Sequence, residues 1–382
     1  MLTATRWAWR ALAAVGVVGL LVISVLAWPM AAWRTGEIPS PALSYLPQAL
    51  PTTVETTVAA TVAATEPAAV GRVWIDADAA CGTGPRRDPD DCLALLSLSF
   101  AKGLTVVGIS TVFGNAPLAE TDAVMRALVQ EIGPRGGQLW PVFRGCGAVA
   151  QGCLNHGGSR AAQDGLAAAL QAGAMDVLAL GPLTNIAAVL TRDPTLARRV
   201  TRVIAVMGRR PGHRFHPSEN RGVGAMLFGH GPIFRDLNAV LDPQAVAVIL
   251  GSGVPLILVP YTAAQQVLMT ASDLDALTGL GPAGRWVAER SRPWLEFWRS
   301  EAGLEGFYPF DLLAVAYLRG TSHFRCARVS AWVGDDALLP WFGGGPALLV
   351  AQANGVQTPP SGASAALYCD VLSHHRTDDL FR

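Results

Sequence analysis

Val73-Trp74-Ile75-Asp76-Ala77-Asp78 is an apolar run that stops on two alternate carboxylates; a Gly/Arg-rich loop follows, then Asp88-Pro89-Asp90-Asp91, and the chain continues into Cys92-Leu93-Ala94-Leu95-Leu96. The pattern is a buried strand, a loop and a helix opening on Asp-Asp. It carries several carboxylates to the carboxyl edge of a sheet, where open α/β folds bind their ligands. Carboxylates that close repel one another, and they stay ionised together when a hard cation such as Ca²⁺ or Mg²⁺, bound through oxygen, neutralises them. The bland alternative is an N-cap pair with a solvated turn, a description that suits Asp88 best.

On either side, strand-like runs alternate with helical patterns. The strands are 72–75, 104–110, 142–143, 176–180, 202–207 and 255–259, and the helices start at Asp91 and Pro243 or cover 118–132, 159–172 and 186–191, with a helical region over 274–319. Short connections between alternating elements predict an α/β fold with a mainly parallel central sheet and helices on both faces. Trp286, Trp294 and Trp298 in the last helical region read as core or pocket wall.

The 382 residues carry 29 basic and 29 acidic side chains and are 51% hydrophobic. A large core is therefore available, and no charge excess points to nucleic acid. Arg6 and Arg10 precede an uncharged apolar run, Ala11 to Trp28, flanked by Trp7, Trp9 and Trp33. This run is long enough to span a bilayer, with the basic flank on the cytoplasmic side, and Val25-Leu26-Ala27 is also an acceptable cleavage site. Residues 1–35 are therefore expected to be a signal anchor or signal peptide. Residues 36–69, rich in Pro, Thr and Ala, read as a disordered tether, and 70–382 as one catalytic domain. The expected location is extracytoplasmic, membrane-anchored or secreted if cleaved. In an oxidising milieu the six cysteines invite pairing: Cys146 with Cys153 closes a small loop, and Cys326 with Cys369 bridges two β-like segments. No spacing resembles a zinc site.

Further polar motifs stand at strand ends: Gly114-Asn115, Leu180-Gly181-Pro182-Leu183-Thr184-Asn185, Arg235-Asp236-Leu237-Asn238 and Phe310-Asp311. Together with the Asp-rich junction, and in this order, they resemble the nucleoside hydrolase family, the inosine–uridine-preferring N-ribohydrolases, from about Val73 to beyond Tyr317. The resemblance implies hydrolysis of a ribonucleoside to ribose and base, with Ca²⁺ holding the attacking water and the ribose hydroxyls. Asp78, Asp91, Asp311 and the Leu180 carbonyl match its metal ligands, and Asp78 also matches the general base. Asp90, counted with Asp78 as catalytic, and Asn115 match residues on the metal side of the ribose. Asp311, Asp236 and Asn238 match groups that reach the sugar, and Asp76 supports the metal loop. The chemistry agrees: an oxocarbenium-like state needs an anionic wall, an activated water and donors that fix the sugar.

Three features depart from the family pattern. Ala79–Arg87 adds about eight residues between Asp78 and Asp90; it reads as an outward bulge, or, through Arg86 and Arg87, as an anion site. Phe310 stands where many members have the His that protonates the leaving base, with His230, Tyr308 and His156 as candidate substitutes; His230 and His156 also match sugar- and lid-side positions. Met207-Gly208-Arg209-Arg210 replaces a Met-Gly-Gly segment and reshapes the pocket mouth. Two other functions fit parts of the pattern. One is a membrane-tethered, Ca²⁺-dependent nucleoside or ribose receptor with weak or no turnover. The other is a haloacid-dehalogenase-type phosphohydrolase with Asp76 as nucleophile, which lacks a suitably placed Lys because Lys102 is the only one in the chain. The partners expected are a small-molecule nucleoside and a membrane, with a homo-oligomer left open.

Overall fold

The computed structural model describes residues 71–210, 236–320, 323–335, 346–352, 359–371 and 381. The run Ala11–Trp28, the tether, His213, His216, His230, Arg235, His374 and His375 lie outside the described residues. Among those described, no helix is long and apolar enough to cross a membrane.

Among the described residues, nine strands form one sheet. In chain order the first six are β1 (Gly71–Ala77), β2 (Leu104–Thr111), β3 (Val142–Arg144), β4 (Met175–Ala179), β5 (Val200–Ala205) and β6 (Leu256–Leu258). These pair in parallel in the spatial order β6-β5-β4-β1-β2-β3. β1 is central, and Val73, Trp74 and Ile75 are buried, as a strand covered on both faces requires. From β1 the chain builds outward to β2 and β3, then returns to β4 on the other flank and builds away through β5 and β6. The order therefore reverses between β1 and β4, and the crevice beyond their carboxyl ends is the ligand-binding position of such sheets.

Helices α1 (Asp90–Leu98), α2 (Leu118–Ile132), α3 (Ala161–Ala172), α4 (Thr184–Arg192), α5 (Leu237–Leu241), α6 (Pro243–Gly251), α7 (Tyr261–Ala264), α8 (Ala271–Leu277), α9 (Pro282–Ala302) and α10 (Phe310–Arg319) follow. One core packs α1, α2, α9 and α10 on one face of the sheet, with Trp294 and Trp298 inside it; α3, α4 and α6 share the core on the other. The helical region expected over 274–319 is broken by Gly303 in a left-handed conformation (φ 63°) and by a short strand, β8 (Gly306–Phe307), which pairs with β7 (Met269–Thr270). That break turns the chain so that α10 starts at the sheet edge. The C-terminal segments add β9 (Phe324–Asp335), β10 (Pro346–Gln352) and β11 (Ser364–Val371); β11 joins β6 in parallel and β9 lies antiparallel to both β10 and β11.

Candidate active site

The acidic residues converge because each sits just beyond a strand or in the first turn of a helix. Asp78 follows β1, Asp90 and Asp91 open α1, and Asp311 is in the first turn of α10. Helix N-termini favour carboxylates there. Asp90, Asp91 and Asp311, all buried, each place one carboxylate oxygen within 4.8 Å of the others. The Asp311 N–H donates to Asp90 Oδ2 (3.2 Å) across 221 positions of sequence.

Asp78 stands beside this trio rather than in it. Its N–H donates to Asp91 Oδ1 (3.2 Å), while its own Oδ2 accepts from the Asn115 N–H (2.7 Å). Gly114 and Gly181 press against the same carboxylate. A β-carbon on Gly114 would lie 1.8 Å from Asp78 Oδ2, so only glycine fits.

Burial raises every carboxyl in the group. Asp78 is pushed to about 7, with the Asp90 charge adding to burial and the Asn115 N–H opposing it. Asp88, Asp91 and Asp311 lie well above the ordinary range through burial and mutual repulsion, and Asp90 is raised by burial. Among the described residues no Lys or Arg ion pair relieves them. Asp91 Oδ2 is buried with no hydrogen-bond partner. A buried, all-oxygen donor set with an orphaned carboxylate oxygen and no counter-charge has the make-up of a divalent-cation site.

Asp76 has a different role. It is fully buried, and its Oδ1 accepts from Ser110 Oγ and from Asn185 Nδ2 (2.8 Å). Asn185 also accepts from the Cys146 N–H (2.9 Å) and donates to the Thr111 carbonyl (3.1 Å). The pair ties β1, β2, α4 and the 146–158 loop together beneath the trio. Burial lifts Asp76 to about 7, against the Asn185 and Ser110 hydrogen bonds. Sequence reading gave Asn185 no role, although an Asn one residue into a helix that follows a strand end was a usable signal. Its 0% exposure together with its hydrogen bonds to Asn185 and Ser110 argues against Asp76 as a phosphohydrolase nucleophile.

The remaining expected residues fall along the same edge. The Leu180 carbonyl accepts from Asn238 Nδ2 (2.6 Å), which also reaches the Val206 carbonyl (3.2 Å); a second lone pair remains on Leu180. Asp236 caps α5 through Ala239 and accepts from the Gly208 N–H (2.7 Å), so it holds the Met207-Gly208 turn. Burial raises it to about 6. Phe310 stacks on Tyr261 (5.6 Å, 30°) and meets Tyr308 edge-on, while Tyr308 is enclosed against Trp298. His156 is exposed, in a left-handed conformation (φ 54°), on a loop anchored by Arg144 to the Gly157 carbonyl. A cleft of about 550 Å³ between α3, α4, α6 and residues 150–155 is lined by none of these carboxylates.

The insertion is not a free bulge. Ala79, Ala80 and Cys81 are buried, and Cys81 is bonded to Cys92 at the root of α1, a pairing not anticipated from sequence; Cys146–Cys153 and Cys326–Cys369 form as expected. Arg87 donates to the Asn115 carbonyl, and Arg86, exposed, lies over the Phe297 ring (5.4 Å). Replacing both Cys81 and Cys92 by Ala is expected to cost about 2–3 kcal/mol of stability, through the freed loop; an unchanged urea midpoint would contradict this.

The sequence profile of the inosine-uridine preferring nucleoside hydrolases matches residues 73–339. The chain belongs to this family. Among its relatives, the pyrimidine-specific ribonucleoside hydrolases RihA of Salmonella enteritidis and Salmonella typhimurium are each 25% identical over 270 residues, covering 65% of this chain and 81% of theirs. A plant nucleoside hydrolase, PpNRh1, superposes with a TM-score of 0.65 at 20% identity, over 82% of this chain and 98% of its own. The purine-preferring ribonucleoside hydrolase from Gardnerella vaginalis gives 0.61 at 16%, over 81% and 96%. The nucleoside hydrolase fold thus covers the described domain.

Proposed function

We propose that this nucleoside hydrolase cleaves the N-glycosidic bond of ribonucleosides at the carboxyl ends of β1 and β4, with Asp78 as general base and Ca²⁺ as the ion held by the acidic trio. The observation that carries this reading is the buried Asp90–Asp91–Asp311 group with Asp78 at its side. A divalent ion bound there would neutralise the cluster and acidify a water. Asp78 takes the proton of the attacking water. Its orientation comes from Asn115 and from the Gly114 and Gly181 backbones packed against it. Asp90, with Asp236, Asn238 and Asp311, would face the sugar, while Asn115, bonded at both ends of its side chain to Asp88, would act by orienting Asp78; the carboxylate wall favours positive charge developing at the anomeric carbon. Phe310, stacked on Tyr261, offers no proton to the leaving base.

That last feature favours a second reading, a Ca²⁺-dependent nucleoside or ribose receptor with little turnover. Incubating the protein with purine and pyrimidine nucleosides and measuring free reducing sugar separates the two. Ribose release supports the hydrolase, and saturable binding without release supports the receptor. Three disulfides among the described residues support an oxidising, extracytoplasmic location, consistent with anchoring or export through the Ala11–Trp28 run.

A further inference from the structure

The Ala79–Arg87 insertion is fixed at three places. At its root the Cys81–Cys92 disulfide joins it to α1 beside Asp91. On its outer side it packs against α9: Arg86 lies over Phe297, and Gly82 is so close to Arg290 that a β-carbon would meet its side chain at 2.6 Å. On its inner side it grips a single residue. Arg87 donates to the Asn115 carbonyl, Asn115 Nδ2 donates to the Asp88 carbonyl (2.8 Å), and Asn115 Oδ1 accepts from the Asp88 N–H (3.3 Å). The insertion is thus a strap from α9 to the turn after β2.

Asn115 is the residue whose N–H reaches the Asp78 carboxylate at 2.7 Å. Its main-chain carbonyl is therefore held by the strap through Arg87 and both ends of its side chain by the next residue, Asp88, while its main-chain N–H orients Asp78. Hydrogen bonds of a guanidinium to a carbonyl are charge-assisted and stronger than neutral ones. A group held in three ways has little freedom to drift, and small displacements of reacting groups are costly in rate.

We propose that Arg87 is a positioning residue for hydrolysis, which through Asn115 holds the Asp78 carboxylate in its working orientation. This rests on the reading of Asp78 as the base. Arg87, rather than Arg86 one position earlier, is the strap's working side chain because Arg87 donates to Asn115 whereas Arg86 lies over Phe297.

The test uses the full chain with Ca²⁺ and the nucleoside it hydrolyses fastest, in variants Arg87→Ala, Arg87→Lys and Arg86→Ala. Arg87→Ala is expected to lower kcat by roughly 10- to 100-fold with KM and the Ca²⁺ dissociation constant unchanged, Arg87→Lys to restore much of the loss, and Arg86→Ala to behave as wild type. In parallel, the Asn115 amide should exchange with deuterium about tenfold faster in Arg87→Ala, while β1 amides keep their protection. An unchanged kcat, a loss carried by KM or by Ca²⁺ affinity, an equal loss in Arg86→Ala, or an unaltered Asn115 amide overturns the proposal. If the wild-type chain releases no ribose, the functional reading has failed instead, and amide exchange still decides whether Arg87 holds Asn115.

Discussion

Asp78→Asn is expected to reduce kcat for nucleoside hydrolysis by about 10³-fold, within the range that general-base catalysis supplies. The substitution keeps the shape of the side chain and leaves an oxygen to accept the 2.7 Å hydrogen bond from the Asn115 N–H. It removes the lone-pair basicity needed to take a proton from water. Because Asp78 touches Asp91 through its own N–H, the substitution also lowers the negative charge beside the trio. The assay is therefore run across a Ca²⁺ titration, so that a loss at saturation reports chemistry rather than ion occupancy. Turnover within tenfold of wild type at saturating Ca²⁺ would remove Asp78 as the base.

The second large effect is on stability. Asp76 and Asp78 are raised from 3.8 to about 7 and Asp236 to about 6, with Asp88, Asp91 and Asp311 well above the ordinary range. An acid with a raised native pKa binds more protons folded than unfolded between the two values. Stability therefore falls as pH rises through that window. For the chelated protein the contribution of these groups is fully present near pH 4 and falls as pH rises through about 7, the reverse of the usual carboxylate case. A bound cation favours the ionised carboxylates and offsets the loss, so Ca²⁺ is expected to raise the melting temperature most at pH 8. At a concentration about 100-fold above its dissociation constant the rise should be roughly 4 °C. A chelated protein whose melting temperature does not decline from pH 5 to 8, or that ignores Ca²⁺ at pH 8, would argue against a cation at the trio.

The strand and helix pattern was legible because it depends on neighbours in sequence. Val73-Trp74-Ile75 reads as a strand buried on both faces, and Asp90-Asp91 before Cys92-Leu93-Ala94-Leu95 reads as a helix start. β10 was legible in principle, since Gly343-Gly344-Gly345 and Asn354-Gly355 bound its apolar run Ala347-Leu348-Leu349-Val350, but sequence reading missed it; β7 and β8 escaped because two-residue strands have no period to detect. Among the cysteines, Cys146–Cys153 and Cys326–Cys369 were legible from a small loop and from paired β-like segments. Cys81–Cys92 was not, because it joins an inserted loop to a helix and neither side shows a pairing pattern.

Residues from 13 to 221 positions apart in the chain met where the fold brought the strand ends together. Sequence alone determined that Asp78, Asp90, Asp91, Asn115 and Leu180 stand at the carboxyl edge of a parallel sheet, since side-chain alternation and helix starts are local properties, while Asp311 reaches that edge through the break at Gly303 and β8. Only the tertiary structure decided that Asp90 lies within reach of Asp91 and Asp311, that Asn185 secures Asp76, and that Arg87 locks Asn115. Those outcomes turn on ångström-scale approaches among side chains distant in sequence, where hydrogen bonds and burial compete for each oxygen and local pattern carries no information.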